Sequence, residues 1–215
     1  MRVSAALVVI LPLLLATCSD VPRPNIILIT IDTLRADHVG AYGYAVGATP
    51  SIDRLAEQGR MFLQATTPFP RTTPAIASLF TGLQPYHHGS REIWQPFTRG
   101  TTLAEILQAE GYTTVGVSAN PAAGGRQHLD RGFDAFVEAD ALPQDSAEHV
   151  VDAALELLQR VDAGRELFLW VHFMDPHFPY EPERLSRHNR RRRSADGCWR
   201  RLVPVACAWV TSRGT

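Results

Sequence analysis

The chain has 215 residues, 45% of them hydrophobic and 20% charged, which allows one globular domain with a substantial core and excludes the disordered and fibrous classes. The formal net charge of −1 hides a lopsided distribution. All 21 basic residues are arginine; residues 186–215 hold eight of them against the single Asp196, and the remainder sets 13 against 21 acids. The body is therefore acidic and the end strongly basic.

Residues 1–20, MRVSAALVVILPLLLATCSD, carry one arginine, an apolar stretch interrupted by Pro12, and then small residues. That order reads as a secretory signal. LATC resembles the bacterial lipobox and makes Cys18 the candidate lipidated first residue of the mature protein; plain cleavage, an uncleaved anchor and a buried N-terminal helix are the alternatives. The expected location is secreted, periplasmic or, with a lipid on Cys18 attaching it to a membrane, a cell-envelope lipoprotein. Cys198 and Cys207 lie in the basic end, and no disulfide framework is implied.

After the VPRP linker, NIILITI (25–31) is continuously apolar and rich in isoleucine, as suits a strand covered on both faces in a parallel sheet. TTVGVSA (113–119) and LFLWVHF (167–173) repeat the theme. Helical patterns lie between them. TPSIDRLAEQG places Pro50 near a first turn and Gly59 at the stop; TTLAEILQAEG offers a threonine cap and Gly111; SAEHVVDAALELLQR has apolar residues at helical spacing. Strands alternating with helices predict an α/β layered fold with a largely parallel sheet. In such sheets ligands gather where the strands' carboxyl ends meet the loops.

Three constellations carry candidate chemistry. The first strand stops abruptly on Asp32. A carboxylate at the edge of a dry core costs several kcal/mol unless a cation or several donors compensate it, and a divalent ion that favours oxygen ligands is one such partner. The structural alternative is that Asp32 caps the DTLRADH turn or pairs with Arg35. Second, Pro74 can occupy the first turn of a helix that ends at Gly82, which puts Thr72 and Thr73 at its N-terminal mouth. There the helix dipole favours an anion and eases ionisation of a hydroxyl, although threonines at helix starts also serve simply as caps. Third, LFLWVHF delivers His172 and breaks at Asp175-Pro176, leaving His177 in a proline-rich loop where it can donate to an oxyanion or a leaving group, or can be structural.

RPNIILITIDTLRADHVGAYGY, TPSIDRLAEQGRMF, TTPAIASLFTG, HHG, GYTTVGVSAN, RGFDAF and VHFMDPHFPYEP, in that order, resemble the N-terminal part of the sulfatase family within the alkaline phosphatase superfamily. The resemblance covers residues 23–183 and implies an α/β/α sandwich that cleaves or transfers sulfate or phosphate esters with a metal-bound nucleophile. Residue by residue, it implies Asp32 as a metal ligand, Thr72 as the nucleophile and a second metal contact, and His177 as a catalytic residue contacting the substrate's anionic group. The implied cofactor is Ca²⁺ or Mn²⁺, and the implied partner a small-molecule or glycan ester; no nucleic-acid partner is expected, since the body carries no feature that supports one.

The departures are as specific. Formylglycine sulfatases carry Cys or Ser, any residue, Pro, any residue, Arg; here Thr72 to Ile76 read TTPAI, without the convertible residue or the arginine. Thr33 stands where a second aspartate often follows the first. A threonine nucleophile resembles branches that transfer or cleave phosphoesters, and a non-catalytic anion- or glycan-binding module is the other alternative. Nothing after Glu183 resembles the family's Ser-Asp-His-Gly segment. The expectation is accordingly an N-terminal fragment, truncated at the C-terminal side of the sheet, with an incomplete metal site and little turnover. Residues 186–215 are expected to be an aberrant end, such as a frame change, or a solvated tail; a basic patch for nucleic acid is the last alternative, for which the body supplies no supporting feature.

Overall fold

A computed structural model describes residues 23–45, 49–142, 146–162 and 164–177. The expectations placed on the segment 1–20, on Cys18 and on the basic end 186–215 with Cys198 and Cys207 lie outside the described residues.

Among the described residues four strands form one sheet: β1 (Ile26–Ile31), β2 (Thr113–Ser118), β3 (Ala135–Val137) and β4 (Leu167–Phe173). Their spatial order is β1-β4-β2-β3 and every pairing is parallel. Ile26 pairs with Phe168 and Thr113 with Leu167, so β4 is flanked on both sides, and all its residues from Leu167 to His172 are buried. A strand with neighbours on both edges and helices on both faces has no solvent side, which is why LFLWVHF reads as an unbroken apolar run.

Alternation along the strands divides the core in two. Phe168 and Trp170 of β4 and Leu28 of β1 point to one face, where they meet Ile76, Ala77 and Phe80 of α2 (Thr72–Thr81) and Ala104 of α4 (Leu103–Ala109). Leu167, Leu169 and Val171, with Ile27, Val115 and Val117, point to the other, against Val150 and Ala154 of α5 (Ala147–Leu158). The two remaining helices, α1 (Pro50–Gln58) and the single turn α3 (Pro85–His88), belong to the connections. This is an α/β fold with a parallel sheet between helical layers, as the alternating pattern predicts.

The helix boundaries follow local chemistry. Pro50 opens α1, Thr102 and Glu105 form a reciprocal capping box on α4, and Gly82 closes α2 with a left-handed φ of 67°. β3 and α3 were not among the elements read from the sequence. At three and four residues they carry too little periodicity to stand out. Among the described residues no helix is long and apolar enough to cross a membrane.

Candidate active site

Because all four strands run the same way, β1, β2 and β4 discharge their chains at one edge of the sheet, and the loops beyond them bring Asp32, Asn120 and His177 to the same side. Asp32 keeps one ladder bond past the end of β1, donating its N–H to Phe173 O at 2.9 Å. The chain then turns sharply at Thr33, whose φ of 54° is unusual for a β-branched residue. Asp32 is thus fixed to the sheet with its side chain 12% exposed.

Thr72 is the first residue of α2, behind Arg71 in extended conformation (φ −141°, ψ 145°). Its hydroxyl donates to Asp32 Oδ2 at 2.9 Å. Thr73 is fully buried and donates to Ala122 O at 2.7 Å. Neither threonine serves as the helix cap, which the N-terminal position alone would have allowed. The Arg35 guanidinium donates to Asp37, through Nε at 2.9 Å and Nη2 at 2.6 Å.

Two further side chains close on the same carboxylate. Asn120, two residues past β2, donates through Nδ2 to Asp32 Oδ2 at 2.5 Å and lies 3.4 Å from Thr72 Oγ1. Its amide orientation is set because Oδ1 accepts the N–H of Ala122 at 2.8 Å. His172, 2% exposed, places Nδ1 2.7 Å from Thr30 Oγ1, the same oxygen that accepts the indole N–H of Trp170 at 3.0 Å. The imidazole stacks on that indole, with ring centroids 5.7 Å apart. Its Nε2 faces Asp32 Oδ2 at 3.5 Å, within ion-pair range but outside hydrogen-bonding geometry, and is buried without a hydrogen-bond partner.

Burial alone would raise the Asp32 pKa, and it is the largest single influence on that carboxyl. The contacts with His172, followed by the donors from Thr72 and Asn120, outweigh it and hold the group below the usual carboxylate range. Asp32 is therefore an ionised acceptor surrounded by donors.

A cavity of ≈ 220 Å³ opens beside Asp32 and Thr72. Asp32, Thr72, His172 and His177 face it, with Arg71 at the mouth of α2 and an apolar wall from Phe69, Pro70 and Ile93. His177 is reached through a turn in which its N–H bonds Met174 O at 2.8 Å. Asp175, which precedes it by two residues, accepts the N–H of Ala147 at 3.0 Å and so ties the loop to the start of α5.

The donor set suits a cation that prefers oxygen: a carboxylate and a hydroxyl in contact, with a buried imidazole nitrogen 3.5 Å from the carboxylate. Among the described residues there is no group of three or more His, Cys, Asp or Glu that could hold a metal ion.

All three residues proposed from the sequence, Asp32, Thr72 and His177, border one cavity. Sequence reasoning noted His172 without giving it a role, and it missed Thr30, Asn120 and Arg71. For Asn120 the usable signal was an amide directly after an apolar strand. Thr30 gave none, since a threonine inside a strand is ordinary.

A sulfatase family profile matches residues 24–201. Arylsulfatase A of Bos taurus is 39% identical over 98 residues, 42% of this chain and 19% of that protein. Arylsulfatase D of Homo sapiens is 34% identical over 159 residues, 63% of this chain and 27% of that protein. Among solved structures, one of a protein in complex with its substrate D-glucosamine-2-N,6-O-disulfate superposes with a TM-score of 0.66 at 21% identity, over 75% of this chain and 36% of that one. A member of the alkaline phosphatase superfamily from Vibrio parahaemolyticus gives 0.58 at 26% identity, over 75% and 42%. The chain thus spans well under half the length of these relatives. With most of its length matched by the family profile and its sheet shared with these structures, the chain belongs to the sulfatase family, within the alkaline phosphatase superfamily.

Proposed function

We propose that the protein acts on sulfate or phosphate esters of a small molecule or glycan, with Thr72 Oγ1 as nucleophile. The observation that carries the reading is the 2.9 Å contact between Thr72 and Asp32 at the carboxyl edge of the sheet. Asp32 and Thr72 would hold a divalent cation, Ca²⁺ or Mn²⁺, which when bound supplies positive charge beside the nucleophile and the ester oxygens.

The protein's own groups perform the remaining steps. Asp32 accepts the Thr72 proton along the existing hydrogen bond, and Asn120 Nδ2 keeps that carboxylate oriented. Thr72 Oγ1 bonds to the sulfur or phosphorus as the bond to the alcohol oxygen breaks, and the His177 imidazole at the cavity donates a proton to the departing oxygen. The His177 imidazole then takes a proton from water, the resulting hydroxide cleaves the Thr72 ester, and Asp32 returns its proton to Thr72 Oγ1 as the inorganic anion leaves.

The sequence TTPAI at positions 72–76 favours a phosphoester as much as a sulfate ester, since neither a formylglycine precursor nor the following arginine is present. Secretion, with attachment to the cell envelope through a lipid on Cys18, is part of the same proposal and places the substrate outside the cytoplasm. The deciding assay supplies aryl sulfate, aryl phosphate and bis-aryl phosphate esters with added Ca²⁺ or Mn²⁺. Metal-dependent release that disappears in Thr72→Ala supports the reading, and release unaffected by Thr72→Ala overturns it.

A further inference from the structure

An anionic ester entering this cavity meets the ionised Asp32 carboxylate. Positive charge is needed to offset it, and the chain contains no lysine at all. Among the described residues lining the cavity the single arginine is Arg71, directly before Thr72. Position 76, where the formylglycine pattern carries its arginine, is Ile76, buried in the core against α2's own layer of the sheet.

Arg71 is only loosely engaged. Its Nε lies 3.9 Å from Glu92 Oε2, with the two side chains 52% and 68% exposed. Other arginines in the fold are held much closer, Arg35 to Asp37 at 2.6 Å and Arg131 to Glu105 at 2.9 Å. A long ion pair between exposed groups contributes little and is exchanged at little cost. Glu92 also adjoins Ile93, which forms part of the cavity wall, so the pair sits at the rim. His172, whose buried Nε2 lies 3.5 Å from Asp32 Oδ2, lines the same cavity and adds a second polar group to its wall.

We propose that Arg71 is the specificity-determining residue of the anion subsite, its guanidinium leaving Glu92 to bind two non-bridging oxygens of the sulfate or phosphate group next to Thr72. The inference rests on the ester-cleaving reading and names the residue that selects for a tetrahedral dianion or monoanion. A planar guanidinium matches two oxygens of such a group, and the N-terminal end of α2 adds its dipole from the same direction. Glu92 acts as a stand-in for the substrate, keeping the guanidinium at the rim while the cavity is empty of anion.

The test is calorimetric titration of the whole chain with inorganic sulfate and with inorganic phosphate, Mn²⁺ being present throughout. Arg71→Gln is expected to weaken anion binding about tenfold or more, and Arg71→Lys to recover part of the loss. Glu92→Gln is expected to tighten binding, because it frees the guanidinium and removes a competing charge; a merely structural pair would not give that result. Arg71 and Glu92 are exposed, so their replacement leaves the core intact. Unchanged affinity in Arg71→Gln, or unchanged or weaker affinity in Glu92→Gln, overturns the inference, as does a wild-type chain that binds neither anion. Ester turnover scored separately shows which idea has failed: anion binding that depends on Arg71 without metal-dependent turnover removes the catalytic reading and leaves the subsite.

Discussion

Thr72 Oγ1 and Asp32 Oδ2 lie 2.9 Å apart across forty residues of sequence, joining the start of a helix to the end of a strand. Neither residue gains this contact from its own element: α2 does not need it as a cap, and the β1 ladder is already complete at Asp32. The contact orients one hydroxyl against one carboxylate at the edge where parallel sheets bind ligands.

If that hydroxyl is the nucleophile, Thr72→Ala is expected to lower metal-dependent ester cleavage on the order of 10³-fold or more, while Thr72→Ser retains a measurable fraction. The check is steady-state hydrolysis of the aryl esters by both variants, together with circular dichroism to show that α2 persists. Equal loss in both variants would point to a packing role for the threonine methyl group instead.

Thr30 is expected to matter without touching substrate. Its hydroxyl oxygen takes the Trp170 indole N–H and meets His172 Nδ1, both deeply buried. Thr30→Val keeps the shape and strands both partners, each stranded group costing about 1–3 kcal/mol. Urea denaturation is expected to show a loss of that order, and activity is expected to fall further than stability does because His172 loses its registry with Asp32. A Thr30→Ser variant restoring both properties would tie the effect to the hydroxyl.

How much of this was legible depended on whether the signal was local. The first strand, Asp32 and the capping box at Thr102 are written in consecutive residues, so they could be read directly. So could the Thr72 position, since a proline, a short apolar helix and Gly82 bracket it. Asn120 and Thr30 act through contacts spanning 88 and 142 residues, with Asp32 and His172 respectively, and composition gives no hint of such pairings. The order β1-β4-β2-β3, which inserts the last described strand between the first two, is what creates those contacts.

A pH prediction follows from Glu105. Burial pushes its carboxyl up, but the Thr102 backbone N–H and the Arg131 guanidinium outweigh that and hold the pKa below its ordinary 4.5. A depressed carboxyl contributes stability that is fully present above its unfolded pKa and is lost as the pH falls through its folded one. Glu105→Gln is therefore expected to cost about 1 kcal/mol at neutral pH and nothing once the wild-type carboxyl is protonated. Thermal midpoints of the two proteins measured from neutrality downward should converge below the ordinary glutamate range. A constant gap across that range would mean the amide disrupts the capping box by shape rather than by charge.

Asn120 offers the sharpest test of whether Asp32 faces a cation. Its Oδ1 already accepts the Ala122 N–H and its Nδ2 touches Asp32 Oδ2, so Asn120→Asp preserves the first contact and converts the second into a meeting of two carboxylates. Like charges at that separation cannot both ionise without a counterion, so the metal-free variant is expected to melt below the wild type. A divalent cation should reverse the order, since each added carboxylate strengthens a hard-cation site and a ligand that binds only the folded state raises its midpoint. The measurement is the midpoint shift produced by Ca²⁺ and Mn²⁺ in each protein. A larger shift in Asn120→Asp than in the wild type places the cation within reach of position 120. Equal shifts would put it elsewhere and leave Asp32 as an acceptor for Thr72 alone.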